Sequence, residues 1–329
     1  MKRLTATLCA AMALAASAGA HGADAAERSP APAADHHQYL FSPAAAAWLS
    51  SAALSLDPVD ADALVAQLDD AGIARAVVLS SAYMYGTPAR VVDHEYARVR
   101  AENDWVAAQA ARHPDRLVAL CSFNPLKDYA LLELGRCATS PGFGRAIKLD
   151  FGSADVRLDQ PAHVARLRQV FRAANARAMA IVVDMRSSRT HDRPYGAEQA
   201  RVLLEQVLPF APDVPVQVSH LAGSVPGGDA APAGSALAVL ADAVARRDPR
   251  VRQVWFDVAS VVPPDIAAGD ARRLVRRLRQ LGLERVLYGS DAALDDGLAP
   301  PDAWAAFLRL PLTDAEAARV ARNLVPYMR

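Results

Sequence analysis

Arg145-Ala146-Ile147-Lys148-Leu149-Asp150-Phe151 and Met179-Ala180-Ile181-Val182-Val183-Asp184-Met185 are two short, largely apolar runs, each with an aspartate one residue before its C-terminal end. Runs of this length and pattern mark parallel strands buried on both faces. Between them, Pro161–Asn175 repeats its apolar residues at helical spacing. It begins with proline, whose missing N–H costs nothing in a first helical turn. A strand, a helix and a second strand therefore follow one another in one short stretch.

The same alternation extends in both directions. Strands are expected at Asp35–Leu40, Ala74–Ser80, Leu117–Phe123, Arg145–Phe151, Met179–Met185, Val214–His220, Val254–Ser260 and Arg285–Gly289. Helices are expected at Ala61–Ala71, Glu95–Arg112, Pro161–Asn175, Ala197–Leu208, Ser235–Arg247, Ala271–Leu281 and Asp314–Tyr327. Asp60 stands where an N-cap belongs and Gly72 where a C-terminal stop belongs. Repeated β-then-α alternation over this length predicts an α/β fold, a single-domain (β/α)8 TIM barrel spanning residues 35–329. An open doubly wound sheet would want a glycine-rich turn after its first strand. Here that strand ends in His37-Gln38-Tyr39.

Composition narrows the function classes. Hydrophobic residues make up 52% of the 329, enough for a large buried core. Lys+Arg and Asp+Glu both number 36, so the basic footprint of a nucleic-acid binder is missing. The expected partner is a small-molecule substrate, in a monomer or a homo-oligomer. At the N-terminus, Lys2 and Arg3 precede an apolar run from Leu4 to Ala16, too short to span a bilayer, and then Ala18-Gly19-Ala20. This reads as a signal peptide over residues 1–20, followed by a flexible Ala/Pro-rich leader over 21–34. The expected location is periplasmic or secreted, with no membrane association after cleavage. Cys9 would leave with the signal; Cys121 and Cys137 could pair as a disulfide in an oxidising compartment, are not a metal motif, and are read first as two buried small apolar side chains.

In a barrel, function collects at the C-terminal strand ends. Polar residues stand there repeatedly: His37 and Tyr39 on the first strand, Lys148 and Asp150 on the fourth, Asp184, His220 and Asp291 on the fifth, sixth and eighth. Residues two apart share a face of a strand, so His37 with Tyr39, and Lys148 with Asp150, aim the same way. One such residue alone is more often a cap or a satisfied polar group. Burying several ionisable groups together is costly unless a metal or mutual pairing offsets it.

Asp35-His36-His37-Gln38-Tyr39-Leu40, Ile147-Lys148-Leu149, Val218-Ser219-His220-Leu221-Ala222-Gly223 and Leu287-Tyr288-Gly289-Ser290-Asp291 together resemble the amidohydrolase superfamily, in its amidohydrolase-related branch with decarboxylases and lactonases. The resemblance covers Asp35 to Arg329 and implies a distorted barrel with one or two divalent metals at its mouth. It implies His37 as the first histidine of a metal-binding His-x-His pair, with Tyr39 in place of the second. Asp184 stands where the family carries a fifth-strand histidine, and Asp150 where close relatives carry another.

The resemblance thus implies a metal set of His37, Asp184 and Asp291, with His220 as a further ligand or proton-transfer group. Asp291 and His220 are the catalytic candidates, and Lys148, Tyr39 and Asp150 the substrate-binding ones. Zinc is the expected ion, with manganese or magnesium favoured by the carboxylates. The reading is a metal-dependent hydrolase of a small carbonyl, lactone, ester or amide substrate. A decarboxylase on the same scaffold and a metal-free, degenerate binding protein are the alternatives.

Overall fold

The computed structural model describes residues 30–50, 56–187, 191, 193–223, 235–293 and 298–328. The signal peptide expected over residues 1–20 and most of the expected leader lie outside these residues. No helix among the described residues is long and apolar enough to cross a membrane.

Eight strands form one sheet in sequence order: β1 Ala34–Leu40, β2 Arg75–Ser80, β3 Leu117–Ser122, β4 Ala146–Asp150, β5 Ala180–Asp184, β6 Val216–Val218, β7 Val254–Asp257 and β8 Val286–Leu287. Every neighbouring pair is parallel. At the seam between β8 and β1, main-chain bonds join His36 N to Tyr288 O at 2.9 Å and Asp291 N to His37 O at 3.0 Å. The chain is a single-domain (β/α)8 barrel, nearly closed. Gly289 makes the seam possible, because a Cβ there would lie 2.9 Å from the Cβ of His37.

The apolar runs are continuous because each strand faces two cores. Tyr39, Val77, Leu79, Leu120, Ala146, Ala180, Val182 and Leu287 fill the barrel. Their strand neighbours, among them Leu40, Val78, Ala119, Ile147 and Val183, pack outward under the helices.

Several expected boundaries shift. The helix expected over Ala197–Leu208 is α-helical only over Ala197–Val202, then widens into a π turn at Leu203–Val207. The last expected helix stops at Arg322 rather than Tyr327, since Pro326 cannot continue it and opens a short 3₁₀ turn. Asp60 does cap Ala61–Asp70, and Gly72 closes that helix at φ 66°. Helices at Pro43–Leu49, Ala130–Thr139 and Pro300–Leu308 add to the expected set.

The Ala130–Thr139 helix also corrects the cysteine reading. It lays Cys137 against β3, where Cys121 sits, and the two are joined in a disulfide with Cα atoms 6.1 Å apart. Without that helix, nothing in the sequence placed one cysteine over the other.

Candidate active site

His37, Tyr39, Lys148, Asp150, Asp184, His220 and Asp291 are all buried. Two residues not singled out from the sequence organise the group: Asp257, which closes β7, and Arg186, two residues beyond Asp184.

Asp257 is the anchor for both histidines. Its Oδ2 accepts from His37 Nδ1 at 3.1 Å and from Gln217 Nε2 at 2.7 Å. Its Oδ1 accepts from the main-chain N of His220 at 2.8 Å. Burial alone would raise this carboxyl, but His37 and His220 outweigh it and hold Asp257 below the usual carboxylate range. A carboxylate on Nδ1 makes that nitrogen the donor, which leaves the lone pair of His37 on Nε2. His220 is fixed the same way, its Nδ1 donating to Ala259 O at 2.7 Å.

In its neutral form each imidazole would therefore turn the lone pair of Nε2 outward, toward a carboxylate. His37 Nε2 is 3.9 Å from Asp291 Oδ1, and His220 Nε2 is 3.2 Å from Asp184 Oδ2. An acceptor facing an acceptor needs a cation or a proton between them. His37 Nε2, His220 Nε2 and Asp291 Oδ1 are buried without a hydrogen-bond partner. Unpartnered buried acceptors of this kind suit a metal ion, as does the second bond that orients each ring.

His37, His220 and Asp257 each offer a ligand atom within 4.8 Å of the others, a possible His/Asp metal site. The Asp257 oxygens are already engaged by four donors, the fourth being Ala259 N at 3.3 Å, whereas Asp291 Oδ1 is open and lies 3.9 Å from His37 Nε2. A second cluster, Cys121, Glu133 and Cys137, offers no thiolates because its sulfurs are joined. Its carboxylate is also held by Arg136 and Asn103.

Asp184 is satisfied by protein cations. Its Oδ2 has Arg186 Nη2 at 3.1 Å, Arg186 Nε at 3.3 Å and Lys148 Nζ at 3.4 Å. Burial pushes Asp184 up, but Arg186, Lys148 and His220 outweigh it and hold the carboxyl well below the usual range. Arg186 reaches across to Asp291 Oδ2 at 3.4 Å, so one guanidinium ties the ends of β5 and β8 together. Asp150 goes the other way: burial, then the neighbouring Asp184 charge, raise its pKa. Tyr39 points its hydroxyl at Tyr83, 3.4 Å away, and burial lifts the phenol well above its ordinary value.

The mouth is built on strained backbone. His220, Leu221 and Ala222 run in the left-handed region at φ 53°, 47° and 62°, and Ser260 and Asp291 share it at 51° and 61°. Such conformations cost roughly 1–2 kcal/mol each for residues other than glycine. They persist where surrounding contacts over-determine them, commonly at functional sites. A cleft of about 230 Å³ opens beside these groups, lined by Trp48, Tyr83, Met84, Arg90, Asp150 and Arg186 among others.

The amidohydrolase family model matches residues 34–323. The chain belongs to the amidohydrolase family. No curated protein matched it. Among solved structures it is similar to a 2,6-dihydroxybenzoate decarboxylase from Rhizobium, at 16% identity and TM-score 0.61, covering 89% of this chain and 97% of that one. A probable 2-pyrone-4,6-dicarboxylic acid hydrolase from Acinetobacter baumannii with citric acid bound gives 16% identity and TM-score 0.58, covering 88% and 96%. A 5-carboxyvanillate decarboxylase mutant from Novosphingobium aromaticivorans with bound manganese gives 14% and 0.60, covering 90% and 96%. At these identities the likeness is one of fold. Family membership makes this amidohydrolase-family chain an enzyme, and both decarboxylases and a hydrolase stand among the structures it resembles.

The two residues beside His37 toward the N-terminus titrate against each other. Burial raises Asp35 to about 6, against hydrogen bonds from Ser290, His37 and Gln38. Burial lowers His36 to about 4. Between pH 3.8 and 6 folded Asp35 keeps a proton that the unfolded chain has released, so its contribution to stability falls as pH rises. Between 6.5 and about 4 the unfolded chain protonates His36 first, so stability is lost as pH falls. A tenfold change in proton affinity is worth about 1.4 kcal/mol, and the two opposed slopes largely cancel. Asp35→Asn is therefore expected to lose stability more steeply than wild type on acidification from pH 6.5 to 4. Denaturant melts across that range check this; parallel profiles would contradict it.

Proposed function

We propose that this amidohydrolase-family enzyme is a metal-dependent hydrolase of a small anionic carbonyl compound of amide, ester or lactone type. The observation that carries the reading is the set of buried, unpartnered acceptors, His37 Nε2, His220 Nε2 and Asp291 Oδ1. These three would hold a divalent cation, and two imidazoles with one carboxylate suit Zn²⁺ or Mn²⁺. Such an ion supplies Lewis acidity toward a carbonyl oxygen and acidifies a water.

The protein groups then divide the proton work. Asp291, held by Arg186 and by Ser260 Oγ at 3.2 Å, takes the proton of the attacking water. Asp150 lines the cleft with a raised pKa and delivers a proton to the leaving group. Carboxyls whose environments pull their pKa values apart are how one site runs base and acid chemistry together. Arg186 and Arg90 give the cleft positive charge, and Trp48 and Tyr83 give it flat walls, which favours a planar anion.

A decarboxylase is the second reading, because Asp150, its pKa raised by burial, is placed to hand a proton to a carbanion, and two of the similar structures above are named decarboxylases. Turnover of a panel of aromatic carboxylates and of lactones in ¹⁸O-labelled water tests the choice. Label in the product supports hydrolysis, whereas released carbon dioxide with unlabelled product overturns it.

We also propose export to the periplasm. The Lys2-Arg3 region with the Leu4–Ala16 run supports this, as does the Cys121–Cys137 disulfide, which persists in oxidising compartments. Protein recovered from the periplasm of a Gram-negative host should weigh less than the full chain by about 20 residues. A soluble cytoplasmic product retaining Met1 would count against it.

A further inference from the structure

Arg186 moves no proton in the scheme above, yet it is bonded to two of the carboxylates at the mouth. Its guanidinium donates to Asp184 Oδ2 through Nη2 and Nε and to Asp291 Oδ2 through Nη1. Its own main-chain N–H donates to Asp184 Oδ1 at 2.8 Å, so the side chain curls back over the end of its own strand. The side chain remains 27% exposed and lines the cleft, so it has somewhere else to go.

The charges matter as much as the contacts. Asp184, Asp257 and Asp291 bring three carboxylates to the strand ends; Asp257 is taken up by the histidines, and Lys148 and Arg186 set two positive charges against Asp184 and Asp291. A divalent ion entering beside His37 and His220 would meet carboxylates already neutralised, in a buried setting where like charges repel strongly. It would also meet a guanidinium bonded to the very carboxylate it needs. The hydrogen bonds holding Arg186 are long, 3.1–3.4 Å, and none forms a two-pronged fork across both oxygens of one carboxylate. They are contacts that can be exchanged.

We infer that Arg186 is an internal counter-cation of the mouth, and that its grip on Asp184 and Asp291 opposes the loading of a divalent metal. The inference rests on the metal site proposed above and says what sets its affinity. An ion held there would compete with Arg186 for Asp291.

The test is titration of metal-stripped wild type, Arg186→Gln and Arg186→Lys with Mn²⁺, followed by calorimetry and by the free Mn²⁺ signal in electron paramagnetic resonance. Arg186→Gln should bind Mn²⁺ more tightly by on the order of tenfold or more, a scale that neighbours of a metal site commonly command. Arg186→Lys, which keeps the charge, should stay closer to wild type. Equal affinities in folded wild type and Arg186→Gln would overturn this inference while leaving the metal site standing. Absence of binding by all three proteins would remove the site and the inference together. Wild type alone gives a check free of any folding defect: the Nε–H resonance of Arg186 should shift as diamagnetic Zn²⁺ saturates the protein. A resonance unmoved at saturation overturns the inference as well.

Discussion

Asp257→Ala is expected to abolish activity and to cost about 3–5 kcal/mol of folding stability, the range seen when one partner of a buried charged pair is removed. The change takes the acceptor from four buried donors at once, His37 Nδ1, Gln217 Nε2 and the main-chain N of His220 and Ala259, of which Gln217 alone keeps a second partner in His36 O. Each unsatisfied group costs about 1–3 kcal/mol on its own. Asp257→Asn separates fold from function. Its carbonyl can still accept from His220 N, but its amide faces His37 Nδ1 and no longer accepts from it. The proton of His37 is driven to Nε2, and the lone pair turned toward Asp291 is lost. Metal affinity and turnover should drop by about a hundredfold or more, in line with the strongest outer-shell effects on metal sites, with a much smaller loss of stability. An Asp257→Asn protein that binds Mn²⁺ as wild type does would show that the tautomer is not what Asp257 controls.

His37→Ala should remove metal binding and activity altogether, while its neighbour His36→Ala should do the reverse. His37 offers its Nε2 to the mouth. His36 spends both nitrogens on the barrel wall, Nδ1 donating to Tyr288 O at 2.9 Å and Nε2 accepting from Val325 N at 3.4 Å. Successive side chains of a strand point to opposite faces, so these adjacent histidines of β1 serve different layers. His36→Ala should therefore melt earlier, by about 1–3 kcal/mol for buried groups left unpaired, and keep its Mn²⁺ affinity. Metal analysis and denaturant melts on both variants decide it. Loss of metal from the His36 variant, or its retention by the His37 variant, would mean the two roles are exchanged.

What can be read from the sequence is set by what strand ends make visible. A charge closing an apolar run is a local signal, and it points to Asp184, His220 and Asp291. Asp257 carries the same signal after Val254-Trp255-Phe256 but is hidden, because the run resumes with Val258 and Ala259 and reads as a longer strand. Arg186 has no local signal, since an arginine after a strand is usually solvated and only the fold brings it to Asp291. The Ala130–Thr139 helix escapes because Gly135 sits at its middle and its apolar face is short. The strands themselves are legible because both of their faces are buried, which keeps each run apolar whatever its register.

The left-handed residues after β6 set a limit on how far this enzyme could be hardened against heat. Leu221 and Ala222 are where a glycine would relieve strain, a net gain below about 1 kcal/mol per site once the flexibility of the unfolded chain is counted. Selection for thermal tolerance alone would find those changes easily. Each would also loosen the turn that holds His220 between Ala259 and Asp184. Heat-resistant variants found by screening for survival should thus include a class that melts later and turns over more slowly, with its mutations at 221 and 222. In this barrel, the hinge between endurance and turnover is a single tight bend of chain.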